Sequence, residues 1–105
     1  KMKILLNSDK NIQITEKFEK YVSEKINISL KRFDDIITRI EVYLSDQNAH
    51  KTSRDDVQCK IEARIKDMQP IIVTGKSDIK EKALDEAIKK IKSSLDKVAD
   101  KLKEK

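Results

Sequence analysis

One glycine, Gly75, and one proline, Pro70, are all that 105 residues hold of the two strongest chain breakers. That scarcity excludes Gly/Pro-rich flexible chains. It also excludes a glycine-rich phosphate loop, which needs several glycines where backbone amides close on a phosphate. The single cysteine, Cys59, rules out an internal disulfide and gives no metal-ligand cluster, so a reducing cytosol is the simplest home. His50 is the only histidine. It stands in a polar stretch with no cysteine or nucleophile beside it, which makes a surface histidine the better reading than a catalytic base. Tryptophan is absent, and the aromatics are Phe18, Tyr21, Phe33 and Tyr43. No pair of them falls on adjacent strands to stack bases, and no GxxG loop of the KH type is present. The opening "KMKILLNSD" has too short an apolar run for a signal-peptide core or a spanning helix. Lys1 reads as a remnant ahead of a natural start at Met2, and a soluble cytoplasmic protein is expected.

What the chain does have is charge. Lys and Arg number 24 against 19 Asp and Glu, for a net charge of +5. Such an excess suits a polyanionic partner, nucleic acid or an acidic membrane surface, although many lysine-rich proteins carry it only for solubility. At 105 residues one domain with a modest core is expected, spanning 2–105.

Hydrophobic periodicity orders the elements. Met2, Ile4 and Leu6 alternate as a short first strand, and "NSDKN" is a turn. Thr15 can cap a helix over 16–33 whose inner face holds Phe18, Tyr21, Val22, Ile26, Ser29 and Phe33. Asp34 and Asp35 mark its exit. Thr38, Ile40, Val42 and Leu44 then point to one side of a strand, with Arg39, Glu41 and Tyr43 on the other. The polar loop "SDQNAHKTSRDD" leads to a second alternating run, with Val57, Cys59, Ile61, Ala63 and Ile65 inward. At an inward position Cys59 is better read as a small buried hydrophobe than as a reactive thiol. The adjacent acids Asp34–Asp35 and Asp55–Asp56 diverge in direction, so turn formation outranks metal binding. "IIVTG" gives a last short strand ending at Gly75. Asp78 and Glu81 form a capping-box pattern ahead of a helix that carries Leu84, Ile88, Ile91 and Leu95. That helix could run about 27 residues, or roughly 40 Å, so its last turns, 98–105, are expected to overhang the sheet or fray.

The fold class is therefore α+β, in the order β-α-β-β-β-α: a four-stranded sheet with two helices on one face and the other face open. On a helical wheel Lys82, Lys89, Lys90 and Lys97 fall opposite the apolar stripe of the last helix, interrupted by Glu86 and Ser93. On the first helix Lys25 and Arg32 share one border of the apolar face, while Glu16, Glu19 and Glu24 dilute the other lysines. The candidate RNA-contacting residues are Lys25, Arg32, Lys82, Lys89, Lys90 and Lys97, a basic surface on the helical layer able to track phosphates. The competing reading is a solvated Lys/Glu surface without a partner.

The residues also resemble a known family. "RFDDIITRIEVYLSDQNAHK" (32–51), "DDVQCKIEARIKDMQPIIVTGK" (55–76) and "LDEAIKKIKSSLDK" (84–97) are similar to the short, single-domain ribosome hibernation-promoting factors, also called ribosome-associated inhibitors. Lys25 matches a lysine of the family's first helix, and Lys90 and Lys97 stand where that family is usually basic. Ser93 departs from a frequent arginine, and the tyrosine common near the start of the last helix is missing. The resemblance implies a fold related to double-stranded RNA-binding domains, and the residues themselves give no expectation of catalysis, a metal or a cofactor. It implies binding to the small ribosomal subunit, on ribosomal RNA of the channel for mRNA and A- and P-site tRNA, which silences and protects idle ribosomes. In that setting Arg32 joins the RNA-facing border, and Arg39 is expected to pair with a sheet charge such as Glu62. Two other readings stay open: a homodimer through the last helix, where Val98 and Leu102 continue a heptad-like spacing, and a generic duplex-RNA binder.

Overall fold

The structure, a computed structural model, describes residues 2–46 and 56–103. His50, Asp55 and most of the polar loop read from the sequence lie outside the described residues. The elements are β1 (Lys3–Ser8), α1 (Glu16–Ser29), a 3₁₀ turn (Lys31–Phe33), β2 (Ile37–Asp46), β3 (Val57–Ile65), β4 (Ile71–Ser77) and α2 (Lys80–Lys103). They form one four-stranded sheet in the order β1-β2-β3-β4. β1 runs parallel to β2, as a strand must when a helix carries the chain back to the start of its neighbour. The remaining pairs are antiparallel. Both helices lie on one face, and the core between layers joins Val22 and Ile26 of α1, Ile40 and Val42 of β2, Ile61 of β3 and Ile91 of α2.

Local chemistry accounts for most boundaries. Thr15 Oγ1 accepts a hydrogen bond from Phe18 N at 3.0 Å and so satisfies one of the orphan amides of the first turn of α1. The helix stops at Ser29, short of the expected Phe33. Beyond it the chain tightens into a 3₁₀ turn, with Phe33 N donating to Leu30 O at 3.0 Å. The tighter winding brings Leu30 and Phe33 into the core together, which continued α-helix would not do as well. At the β3–β4 turn Asp67 takes the left-handed conformation, φ 61°, and Met68 N donates to Ile65 O at 3.2 Å.

Four expectations need correction. Thr38 does not point inward: a register shift between Ile37 and Arg39 breaks the alternation, so Ile37 is buried, and exposed Thr38 donates through Oγ1 to Arg64 O at 3.2 Å. Arg39 does pair with a sheet charge, but with Glu41 on its own strand, at 3.4 Å, rather than with Glu62, which pairs with Arg64, also at 3.4 Å. β4 does not end at Gly75 but continues through it to Ser77. Finally, α2 begins at Lys80, with Ala83 N donating to Ile79 O at 3.1 Å, so Asp78 precedes the helix by more than a cap position. The Asp78 carboxylate instead accepts from Ser77 Oγ at 2.9 Å, and that hydrogen bond, with those of the Asp78 and Ile79 amides, holds it below the usual carboxylate range.

Toward its C-terminal end α2 keeps contact with the domain. Val98 and Ala99 are half-buried against the core, whereas Leu102 is 42% exposed.

Cys59 faces the core as its alternation predicts and is fully buried. Burial pushes its thiol up to about 12, so the reactive thiolate is scarce at neutral pH. Alkylation at pH 8 is therefore expected to proceed only as fast as the domain opens. Mass-resolved labelling with and without denaturant measures this, and rapid labelling of the native protein would contradict the burial.

Candidate nucleic-acid interface

The amphipathic pattern of α2 turns Leu84, Ile88, Ile91 and Leu95 to the sheet, which leaves Lys82, Lys89, Lys90 and Lys97 exposed. Their surroundings differ. Lys90 Nζ lies 3.3 Å from Glu86 Oε1 and donates to Thr74 O at 2.7 Å, so it is tied to the β4 edge. Lys82 feels the nearby Asp78 carboxylate. Among the described residues Lys89 and Lys97 have no partner in the chain, and neither do Lys92 and Lys101.

Lys25 and Arg32 are placed differently from the lysines of α2. Lys25 makes an ion pair with Asp85, and Arg32 Nη1 lies 2.7 Å from Asp96 Oδ1. Both bridges cross from the α1 segment to α2. Lys25 also donates to Tyr21 Oη at 3.3 Å, and the Arg32 guanidinium lies over the Phe33 ring, 4.8 Å from its centre. The hydrogen bond to Asp85 comes first among the causes that raise Lys25 above its ordinary 10.5, with Tyr21 adding to it and burial opposing. Lys25 thus contributes through this pair at neutral pH, and that contribution is lost as pH rises through its raised value. Both pairs are well exposed to solvent and hold the helices with at most about 1 kcal/mol each.

These bridges change the electrostatics of the whole layer. Asp85 and Asp96 are acids that would otherwise dilute the basic face of α2, and the cations of α1 neutralise them. What α2 presents outward is then a line of lysines, interrupted by Glu86, itself paired with Lys90, and further along by the exposed Asp100. Lys82, Lys89 and Lys97 lie along about 22 Å of the helix axis at 1.5 Å per residue. Sequence reasoning overlooks Lys92. On the wheel it falls beside Asp85, on the side toward the apolar stripe, and it is exposed at that border.

Replacing Asp85 and Asp96 together by Asn should free Lys25 and Arg32 and remove two negative charges. Affinity for a polyanion such as duplex RNA is expected to rise about tenfold at low salt, with only a small loss of thermal stability. Fluorescence anisotropy at fixed salt measures it. Unchanged or weaker binding would mean that these cations do not face the polyanion.

A shallow groove of about 350 Å³ opens between the helix N-termini, lined by Thr15, Phe18, Tyr21 and Lys80 among others. Lys80 spans it, donating to Gln13 O at 3.2 Å with its ammonium 4.6 Å from the centre of the Phe18 ring. Among the described residues no three His, Cys, Asp or Glu side chains converge as a metal site would require. No helix among them is long and apolar enough to cross a membrane.

With this geometry in view, the comparisons with known proteins decide the family. The sigma 54 modulation protein / S30EA ribosomal protein model matches residues 7–103. The chain belongs to this family. Membership places it among ribosome-associated factors of the hibernation type, as the resemblance in the middle of the sequence implies. Among solved structures, the Protein Y N-terminal domain from Thermus thermophilus superimposes with a TM-score of 0.73 at 18% identity, over 92% of this chain and 99% of that one. A ribosomal subunit interface protein from Coxiella burnetii does so with a TM-score of 0.71 at 16% identity, over 93% and 98%. At such identities these two establish the fold of the family member rather than its contacts. No curated protein sequence matches the chain.

Proposed function

We propose that this domain, residues 2–105, is a non-enzymatic translation inhibitor that occupies the small ribosomal subunit. It lies in the channel that takes mRNA and the A- and P-site tRNAs, gripping ribosomal RNA phosphates with the lysines of α2, with Lys25 and Arg32 at the border. Occupancy excludes initiation by volume alone, keeps idle ribosomes silent and puts the protein in the cytoplasm. The observation that carries this reading is the asymmetry of charge on α2: its acids facing the first helical segment are paired off, while the outward Lys89 and Lys97 have no partner among the described residues.

Without an aromatic pair on adjacent strands or a GxxG motif in the sequence, affinity rests on phosphate contacts and falls steeply with salt. Family membership favours the ribosome over generic duplex RNA, which shares the physics. A homodimer through α2 has less to stand on, because Leu84, Ile88, Ile91 and Leu95 are all spent on the domain's own core. Val98 is itself half-buried against that core, and exposed Leu102 alone is too little for a coiled-coil seam.

The test is sedimentation with purified subunits across a salt series, with mRNA and initiator tRNA as competitors. Salt-sensitive binding to the small subunit, displaced by both ligands, is expected. Binding to the large subunit, or binding indifferent to both competitors, would refute occlusion of the channel.

A further inference from the structure

The face of the sheet opposite the helices carries its charges in rows. Strand register sets Lys3, Arg39 and Arg64 side by side across β1, β2 and β3, a wholly basic row. The next row along the strands on that face is Leu5, Glu41, Glu62 and Ile72, acidic at its centre and apolar at both ends. Arg39 thus stands opposite Arg64, and Glu41 opposite Glu62. Like charges directly opposite destabilise a sheet. Each arginine finds a carboxylate only along its own strand, and at 3.4 Å both contacts are looser than charge-assisted hydrogen bonds usually are. Arg39 Nε is shielded from solvent and has no acceptor. Ile72 is 57% exposed and Tyr43 41% exposed on the same face.

A basic row beside an acidic row is complementary to itself. A two-fold axis lying between the rows and parallel to them turns one copy over onto the other. It then sets Arg39 of each copy against Glu41 of the other, and Arg64 against Glu62, with four cross-subunit pairs from one patch. A closed two-fold interface requires this kind of self-complementary surface. We propose that the open sheet face is a self-association surface and that its occupant is a second copy of this chain, packed sheet to sheet. The choice of occupant rests on the charge pattern. A nucleic acid would meet the acidic row, and a uniformly acidic or basic protein would match only one of the two rows.

The face is small, on the order of 400–500 Å² per partner from strand spacing and rise. That lies below the roughly 800 Å² per partner of a standard stable interface, so the dimer is transient and salt-sensitive. The helical layers point away from each other in it, and polyanion binding there is independent of it.

Sedimentation equilibrium from about 10 µM to about 1 mM protein at low salt tests the proposal, since interfaces of this size give weak dimers. The wild-type chain should shift toward dimer as concentration rises. Glu41→Arg with Glu62→Arg should abolish the shift, while circular dichroism reports whether the fold is kept. The fourfold exchange, adding Arg39→Glu and Arg64→Glu, preserves the within-strand pairs; it should dimerise with itself and fail to pair with the wild-type chain. A strictly monomeric wild-type chain, or a dimer indifferent to these exchanges, would overturn the proposal.

Discussion

Glutamate in place of both Lys89 and Lys97 is expected to lower affinity for the small ribosomal subunit about a hundredfold or more. Both lysines are exposed and, among the described residues, free of partners in the chain, so the loss cannot come from a broken internal contact. A charge-assisted hydrogen bond to phosphate contributes roughly 1.5–3 kcal/mol, and every 1.4 kcal/mol is about tenfold in affinity. Removing two of them weakens binding at least about a hundredfold, and the new carboxylates repel phosphate besides. Melting temperature should stay within a degree or two, because exposed substitutions away from caps and bridges rarely cost more than about 0.5 kcal/mol. The slope of log affinity against log salt should become shallower as fewer phosphates are neutralised. Lys90 is the less informative target: its bridge to Glu86 and its bond to Thr74 O make reversal there structural as well as electrostatic. Normal cosedimentation of the Lys89/Lys97 variant would remove α2 from the interface.

The largest effect on stability is expected at Gly75. An added Cβ there would lie 2.4 Å from Ala83 O and 2.5 Å from Ala87 N, both backbone atoms of α2. Neither can swing aside as a side-chain tip would. The helix has to lift from the sheet along its most intimate contact, where Ala83 and Ala87 allow the close approach. Overpacking of this kind costs about 3 kcal/mol, which lowers Tm by roughly 12–24 °C in a domain of this size. Gly75→Ala should show it in thermal denaturation followed by circular dichroism. Since φ at Gly75 is not positive, the entire effect is one of space. An unchanged Tm would mean that the β4–α2 packing is looser than described.

Gly75 also shows where sequence reading succeeds and where it stops. The two periodicities are plain, and they yield every strand and both helices because each element buries one face and wets the other. A lone glycine at the end of "IIVTG" signals a turn locally; its real role is set by a helix that lies next to it only after folding. The same distance blinds the reader to the bridges from the α1 segment to α2. Arg32 and Asp96 stand 64 positions apart, and nothing near either residue names the other. Lys25 and Arg32 are therefore legible as cations on the border of α1, but their ties to Asp85 and Asp96 are not. Thr38 is misplaced by pattern reading because one register shift reverses an alternation, which side-chain pattern alone does not reveal. The pairing of Arg39 with Glu41 rather than Glu62 follows from the same register, which sets Arg39 opposite Arg64.

Everything turns on which face meets the ribosome. The most direct measurement is the structure of this protein bound to the small ribosomal subunit by electron cryomicroscopy. Density is expected in the mRNA and tRNA channel with α2 against ribosomal RNA, Lys89 and Lys97 at phosphates, and the sheet face turned away. Density elsewhere on the subunit, or the sheet face against the RNA, would contradict it.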